Sequence, residues 1–310
     1  HVDKWQDPMV KALSLSLKGG LGDLCDILQI DAEHAKDKDG KKLVQLFCKP
    51  LGKNRKLDRA TRETHPAEWA KFVEYARLDV EAMRAVCHKL PDWNYKDGEL
   101  ALWHLDQTIN DRGVCIDTEL VEKALVTIDA EKIRLAKESN RMTSGAVEST
   151  TQVDSTIKFM LKQFGIELLD LQKSTVEATL LDGSVPDEAK ELLRNRQWSS
   201  TTSTAKYKSL SNGVNTDGRL RGTLQFNGAS RTGRWSGRTF QPQNLPRPAL
   251  DNETIDHGID LLKLGGADLL AENLMELCSS AIRGCIVAPQ YKKLVVTDLS
   301  NIEGRVQAWL

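Results

Sequence analysis

Two long stretches, Pro66–Leu90 and Thr118–Met142, carry apolar residues in helical periodicity. In the first, Trp69, Phe72, Val73, Ala76, Val80, Met83 and Val86 recur mostly three and four apart, and Pro91 closes the run. The second has a capping residue at its start. Each stretch must bury one face, so helices carry much of this chain. Glu99–Arg112 predicts a further amphipathic helix, with Gly113 as its C-cap. Gly113–Asp117 then predicts a short strand or turn. Met9–Leu17 is ambiguous between helix and strand, and a second helix is expected to run to Leu28. A Ser/Thr-rich break covers Thr143–Ser155, followed by short helices to about Leu181 and another over Pro186–Leu193. The end of the chain predicts a helix around Leu269–Ser280, an apolar strand over Lys293–Thr297 and a last helix from near Ile302.

Composition narrows the class. The chain has 310 residues, 40% of them hydrophobic and 28% charged, with a formal net charge of −1. That balance excludes wholesale disorder, a collagen repeat and a disulfide-dense miniprotein. No apolar run is long enough to span a membrane, so no membrane partner is expected. The six cysteines form no CxxC pair, which favours reduced thiols in a cytoplasmic compartment over a zinc site or disulfide framework. Lys36–Lys42 reads as a solvated charge run. The chain begins at His1, which points to processing or to a piece of something longer.

A near-zero net charge argues against a nucleic-acid partner only if charge is spread evenly, and here it is not. Residues 218–250 hold no Asp or Glu but six arginines: Arg219, Arg221, Arg231, Arg234, Arg238 and Arg247. Gln225, Asn227, Ser230, Thr232, Ser236, Gln241, Gln243 and Asn244 lie among them, with glycines at 222, 228, 233 and 237. Guanidinium groups bind phosphate bidentately, amides can read base edges, and glycine lets a backbone approach a ligand closely. The plainer alternative is an exposed polar loop. Further on, Leu294-Val295-Val296-Thr297-Asp298 places a carboxylate at the tip of an expected strand, as a hard-metal ligand requires; a cap on the following helix by Asp298 or Ser300 is the alternative. Tyr75 and Asp79 lie four apart, on one helix face.

Thr232-Gly233-Arg234-Trp235-Ser236 with Gln243-Asn244-Leu245-Pro246 resembles the TGR-x-S and QN-[IL]-P signature of family A DNA polymerases, the DNA polymerase I family. Gly237 stands where a second serine is usual. Asp298-Leu299-Ser300-Asn301-Ile302-Glu303-Gly304-Arg305 resembles that family's motif A, with Asn301 in place of glutamine. The resemblance implies a mixed α+β fold. Residues 1–94 would be the C-terminal part of an RNase H-like 3′–5′ exonuclease domain, and 95–117 a palm lead-in. Residues 118–217 would form a helical thumb, and 218–310 the first part of an antiparallel-sheet palm.

The resemblance also implies roles. Arg234 would lie in the minor groove at the primer terminus, with Arg231 and Thr232 beside it. Gln243, Asn244 and Arg283 would contact the template-primer, and Arg194 and Lys206 of the thumb would contact its phosphates. Asp298 would ligate both Mg²⁺ ions, Glu303 would exclude a ribose 2′-hydroxyl, and Arg305 would be a buried brace of the palm. In the nuclease part, Asp79 would bind metal and Tyr75 would orient the attacking water. The implied partners are primer-template DNA, deoxynucleoside triphosphates and a remaining polymerase segment that carries the fingers and the second palm carboxylate. Neither that segment nor the other two exonuclease motifs is recognisable here, so the chain alone is expected neither to polymerise nor to proofread. It reads as a fragment, half of a split polymerase, or part of a longer polypeptide. The alternative from another class is a non-catalytic DNA-binding scaffold derived from a polymerase. A nuclease that keeps only proofreading is the weakest fit.

Overall fold

The computed structural model describes residues 4–30, 40–50, 59–229 and 231–310. His1, Ser230 and residues 36–39 of the lysine-rich run lie outside them. In chain order the described elements begin with α1 (Pro8–Ser14), α2 (Leu21–Ile27), α3 (Gly40–Cys48), α4 (Pro66–Lys89), α5 (Asp97–Arg112), β1 (Val114–Ile116) and α6 (Thr118–Met142). There follow α7 (Val153–Phe164), α8 (Lys173–Leu181), α9 (Asp187–Ser199), α10 (Ala205–Gly213), β2 (Arg219–Leu220), β3 (Leu224–Ala229) and β4 (Arg234–Gly237). The chain closes with α11 (Asn252–Leu264), α12 (Leu274–Ala281), β5 (Ile286–Val287) and α13 (Ile302–Trp309). This is a mixed, mainly helical fold with small antiparallel sheets.

The chain divides into two compact units. One comprises His1–Asp111 with Leu224–Arg238, and the other Arg112–Thr223 with Thr239–Leu310. The described residues of 95–111 in the expected lead-in and of 224–238 in the expected palm therefore belong to the same unit as the described residues of 1–94.

The second unit is organised by α6. Its N-cap, Asp117, accepts the backbone N–H of Leu120 at 3.0 Å and the Nζ of Lys263 at 2.5 Å. Leu120, Val121, Ala124, Ile128 and Leu135 then fall on one buried face. They form a core with Tyr207, Leu262, Met275 and Leu277. Glu131 lies on the same face, and Arg134 donates to both of its carboxylate oxygens. Such a charge is tolerated in a core only when it is paired. A separate cluster around Met160, Val176, Leu192 and Leu193 joins α7, α8 and α9. The sheet of this unit has the order β2-β1-β5, with Cys115 opposite both Arg219 and Val287.

In the first unit, α4 buries only Tyr75, Ala82 and Val86, while Val73, Val80 and Met83 of the expected apolar face are exposed. Its buried positions serve two separate partners. Phe47 of α3 stacks on Phe72 at 5.2 Å, and Ala82 and Val86 join Ala12 and Leu24. The hairpin β3–β4 pairs Leu224 with Gly237 and Ala229 with Arg234, with a register shift between.

Several expectations need correction. Lys293–Thr297 is not a strand: residues 292–299 have no regular structure, and Leu294, Val295 and Val296 are 54%, 78% and 89% exposed. A strand needs a hydrogen-bonding neighbour, and none pairs with this run among the described residues. The helix expected at Leu269–Ser280 begins only at Leu274, and α9 runs past Leu193 to Ser199. The break after α6 is shorter than expected, because α7 starts at Val153. The helices α3, α10 and α11 were not anticipated. None of the six cysteines is in a disulfide, and burial pushes the Cys278 and Cys285 thiols up to about 12. Among the described residues, no helix is long and apolar enough to cross a membrane.

Candidate nucleic-acid interface

The arginine-rich segment is divided between the two units. In the first unit, the hairpin turn is closed by the backbone N–H groups of Thr232 and Gly233, both donating to the carbonyl of Ala229 at 3.0 and 2.9 Å. Gly233 adopts φ +63°, which favours glycine, and Arg231, Thr232 and Arg234 are exposed around it. Gly228 is required for a different reason: a Cβ there would lie 1.9 Å from Ser236 Oγ across the hairpin. That glycine brings strand to strand rather than backbone to ligand.

The hairpin is tied to α5. Trp235 donates its Nε1 to Asp106 Oδ1 at 2.8 Å, and Asp106 is 1% exposed. Asp106 Oδ2 accepts from Gln107 Nε2 at 3.0 Å and Asn110 Nδ2 at 3.1 Å. Burial raises the pKa of this carboxyl, and the donated hydrogen bonds from Trp235, Asn110 and Gln107 oppose the rise. Asn110 also grips both backbone groups of Leu224, each at 3.0 Å. Phe226 meets Trp235 edge to face at 5.1 Å and is buried with Val10, Tyr95 and Trp103. Neither Asp106 nor Asn110 was singled out from the sequence. The available signal was their position with Trp103 at i, i+3 and i+7, the spacing of a buried helix stripe.

Not every arginine of the segment faces outward chemistry. In the second unit, Arg221 pairs with Asp217 at 2.6 Å and holds its carboxyl down to about 2, although both are surface groups. Arg219 donates to the carbonyls of Arg112 and Gly113 at 3.1 and 3.2 Å. Arg283, expected at the template-primer, donates to the carbonyl of Leu245 at 3.0 Å and braces the loop that carries Gln243 and Asn244. That loop is a 3₁₀ turn over Pro242–Asn244, entered by Gln241 at φ +51° and anchored by the buried Leu245. Gln243 is exposed, and Asn244 donates to the Gln241 side chain at 2.8 Å.

An open groove of about 850 Å³ in the second unit brings together Lys173, Arg196, Lys206, Asn244 and Arg247 with the hydroxyls of Ser200–Ser203. Glu177 and Glu276 also line it, and Lys173 is paired with Glu177 at 3.6 Å. Among the described residues Arg196, Lys206 and Arg247 have no carboxylate partner. The Arg196 guanidinium donates to the carbonyl of Thr150, while its Nε is buried without a partner and burial lowers its pKa. A guanidinium is a donor in every accessible state, so an anion there would satisfy it. Arg194 is exposed on α9 but does not line the groove. Arg196, which sequence reasoning missed, does.

The motif A residues lie elsewhere in the second unit. Asp298, Glu303 and Arg305 are all exposed, Arg305 included, so the expected buried brace is not observed. It has no packed surroundings because the apolar run before it is itself exposed. Neither Asp298 nor Ser300 caps α13: the N-cap is Asn301 at φ +53°, and it makes no side-chain cap hydrogen bond. In the first unit, Tyr75 is buried on α4 and stacks on Phe72 at 6.4 Å, with Gly40 leaving room for its ring. Asp79 Oδ1, one turn on, is buried without a hydrogen-bond partner. Among the described residues no three His, Cys, Asp or Glu side chains group as a metal site would require.

The chain is similar over 99% of its length to the DNA polymerase of Bacillus phage SP02, at 35% identity. It spans about half, 47%, of that relative's length. No protein-family model matches the chain.

Proposed function

We propose that the chain is part of a family A DNA polymerase and supplies nuclease, thumb and first palm segments to template-directed DNA synthesis. The observation that carries this reading is the similarity, over 99% of this chain and 47% of the relative, to a protein named DNA polymerase. The groove supports it. Its unpaired cations, amide and hydroxyls suit a phosphate backbone, which is recognised by charge and hydrogen bonding without sequence preference. The exposed hairpin turn with Arg234 suits a primer terminus. The reaction is attack of the primer 3′-hydroxyl on the nucleotide α-phosphate with loss of pyrophosphate, and primer-template DNA and deoxynucleoside triphosphates are the substrates.

Mg²⁺ would neutralise charge at the reacting phosphates. Asp298 offers one hard oxygen ligand for it, and Asp79, with its unpartnered buried oxygen, offers another for a 3′–5′ exonuclease in which Tyr75 orients water. An octahedral Mg²⁺ site takes more oxygen ligands than these described residues assemble. Further ligands would come from a polymerase segment outside this chain.

The test is Asp298→Ala in a polymerase polypeptide that carries this chain. Primer extension should collapse while binding of the primer-template persists. Undiminished synthesis would overturn the reading and favour a non-catalytic DNA-binding scaffold.

A further inference from the structure

The hairpin's anchorage to α5 goes beyond these roles. Asp106 and Asn110 lie one turn apart on α5, and between them they hold both strands. Asn110 fixes Leu224 on β3 through its amide oxygen and nitrogen, and Asp106 fixes Trp235 on β4 through the indole N–H. Asn110 also donates to Asp106, so the four residues form one continuous polar chain, Leu224–Asn110–Asp106–Trp235. Only Asp106 is buried in this polar chain, while Trp235 is 42% exposed, and connected hydrogen bonds to a buried carboxylate rigidify what they join.

The placement of Trp235 matters because Arg234 precedes it directly. Neighbouring side chains on a strand face opposite ways, so a fixed Trp235 sets the face on which Arg234 emerges. The carboxylate is also nearly inaccessible: at 1% exposure Asp106 cannot itself meet a polymeric ligand. Whatever it contributes to binding must pass through the groups that it holds.

We propose that Asp106 and Asn110 are positioning residues that aim Arg234 through the Trp235 indole. The inference rests on the reading of Arg234 as a primer-terminus contact. It adds a specific dependence: the arginine's contribution shrinks when the indole N–H is no longer held.

Trp235→Phe removes that N–H but keeps an aromatic ring against Phe226. Binding of a fluorescent primer-template by the full chain can be measured by anisotropy for the unaltered protein, Trp235→Phe, Arg234→Ala and the double variant. Arg234→Ala should weaken binding about tenfold. Trp235→Phe should weaken it several-fold, and the double variant should bind no worse than Arg234→Ala alone. Asp106→Leu removes the acceptor of that N–H, so it should behave like Trp235→Phe and shift the Trp235 indole N–H resonance. Asp106→Leu also supplies the cycle if Trp235→Phe loses its fold. If the two losses multiply in full, the indole acts independently of the arginine and the inference is overturned. It is equally overturned if Arg234→Ala weakens binding and Trp235→Phe does not, a result that leaves the polymerase reading intact. If Arg234→Ala has no effect, the primer-terminus role falls and the inference falls with it.

Discussion

The hairpin at 224–237 and the segment at 292–305 carry the two most specific motifs in the chain, and they are built in opposite ways. The hairpin is held by several partners: a buried carboxylate, an amide that bridges two backbone groups and an aromatic pair fix it in place. The second segment has an apolar run of comparable β-propensity, yet Val295 and Val296 are exposed and no strand pairs with them among the described residues. Hydrophobicity and β-branching make a segment eligible to be a strand. A neighbouring backbone makes it one. Strength of motif and strength of local structure are therefore separate properties here.

The contrast can be broken in several ways. The largest expected effect is chemical: Asp298→Ala should reduce primer extension more than about a hundredfold in a polymerase that carries this chain, whereas no change in the urea midpoint of the chain is expected. Next is packing. Phe226→Ala should destabilise the first unit by about 3–4 kcal/mol in urea unfolding, because Phe226 is buried against Val10, Tyr95 and Trp103. Val295→Ala should fall within about 0.5 kcal/mol of the parent protein. Equal losses at the two positions would erase the difference between the regions. A smaller effect concerns the groove: Lys206→Ala and Arg247→Ala should each reduce the log–log salt slope of duplex binding by about 1, which a titration of anisotropy against ionic strength would measure.

The smallest effect sharpens the hairpin side. Burial raises the Asp106 pKa in the folded chain, so its favourable contribution is present below the ordinary carboxylate range and declines as pH rises through the folded value. The stability of the unaltered protein relative to Asp106→Asn should therefore fall as pH rises above the ordinary carboxylate range. Urea midpoints of both proteins measured side by side would show it, and a midpoint of the unaltered protein that rises with pH relative to the variant's would contradict the assignment.

Much of the helical framework was legible because its signals are local. Asp117 as a cap and the apolar period after it place α6 at Thr118–Met142, and Gly113 with φ +65° ends α5 as a C-cap glycine should. The same kind of signal was available for α11, where Asp251 caps through Thr254 and Gly265 terminates, but the surrounding polar loop obscured it. Arg196 shows a subtler miss. With Ala189, Leu192 and Leu193 it completes an i, i+3, i+4, i+7 stripe, and a charge on such a stripe marks a group with a buried stem.

The bounds of α4, α5 and α6, the stretch from which acidic residues are withheld, and the short motifs that resemble a polymerase could all be read without the fold. Caps, period and composition act within a few residues, so no distant partner is needed to read them. The folded chain was needed to show that Arg219 and Arg283 brace backbone carbonyls, that Arg196 enters the groove in place of Arg194, and that Asp106 holds the hairpin. Each of those depends on which distant group comes within hydrogen-bond reach. Residues 106 and 235 meet because the chain returns to α5 after the whole of α6–α10, and nothing local to either residue encodes that return.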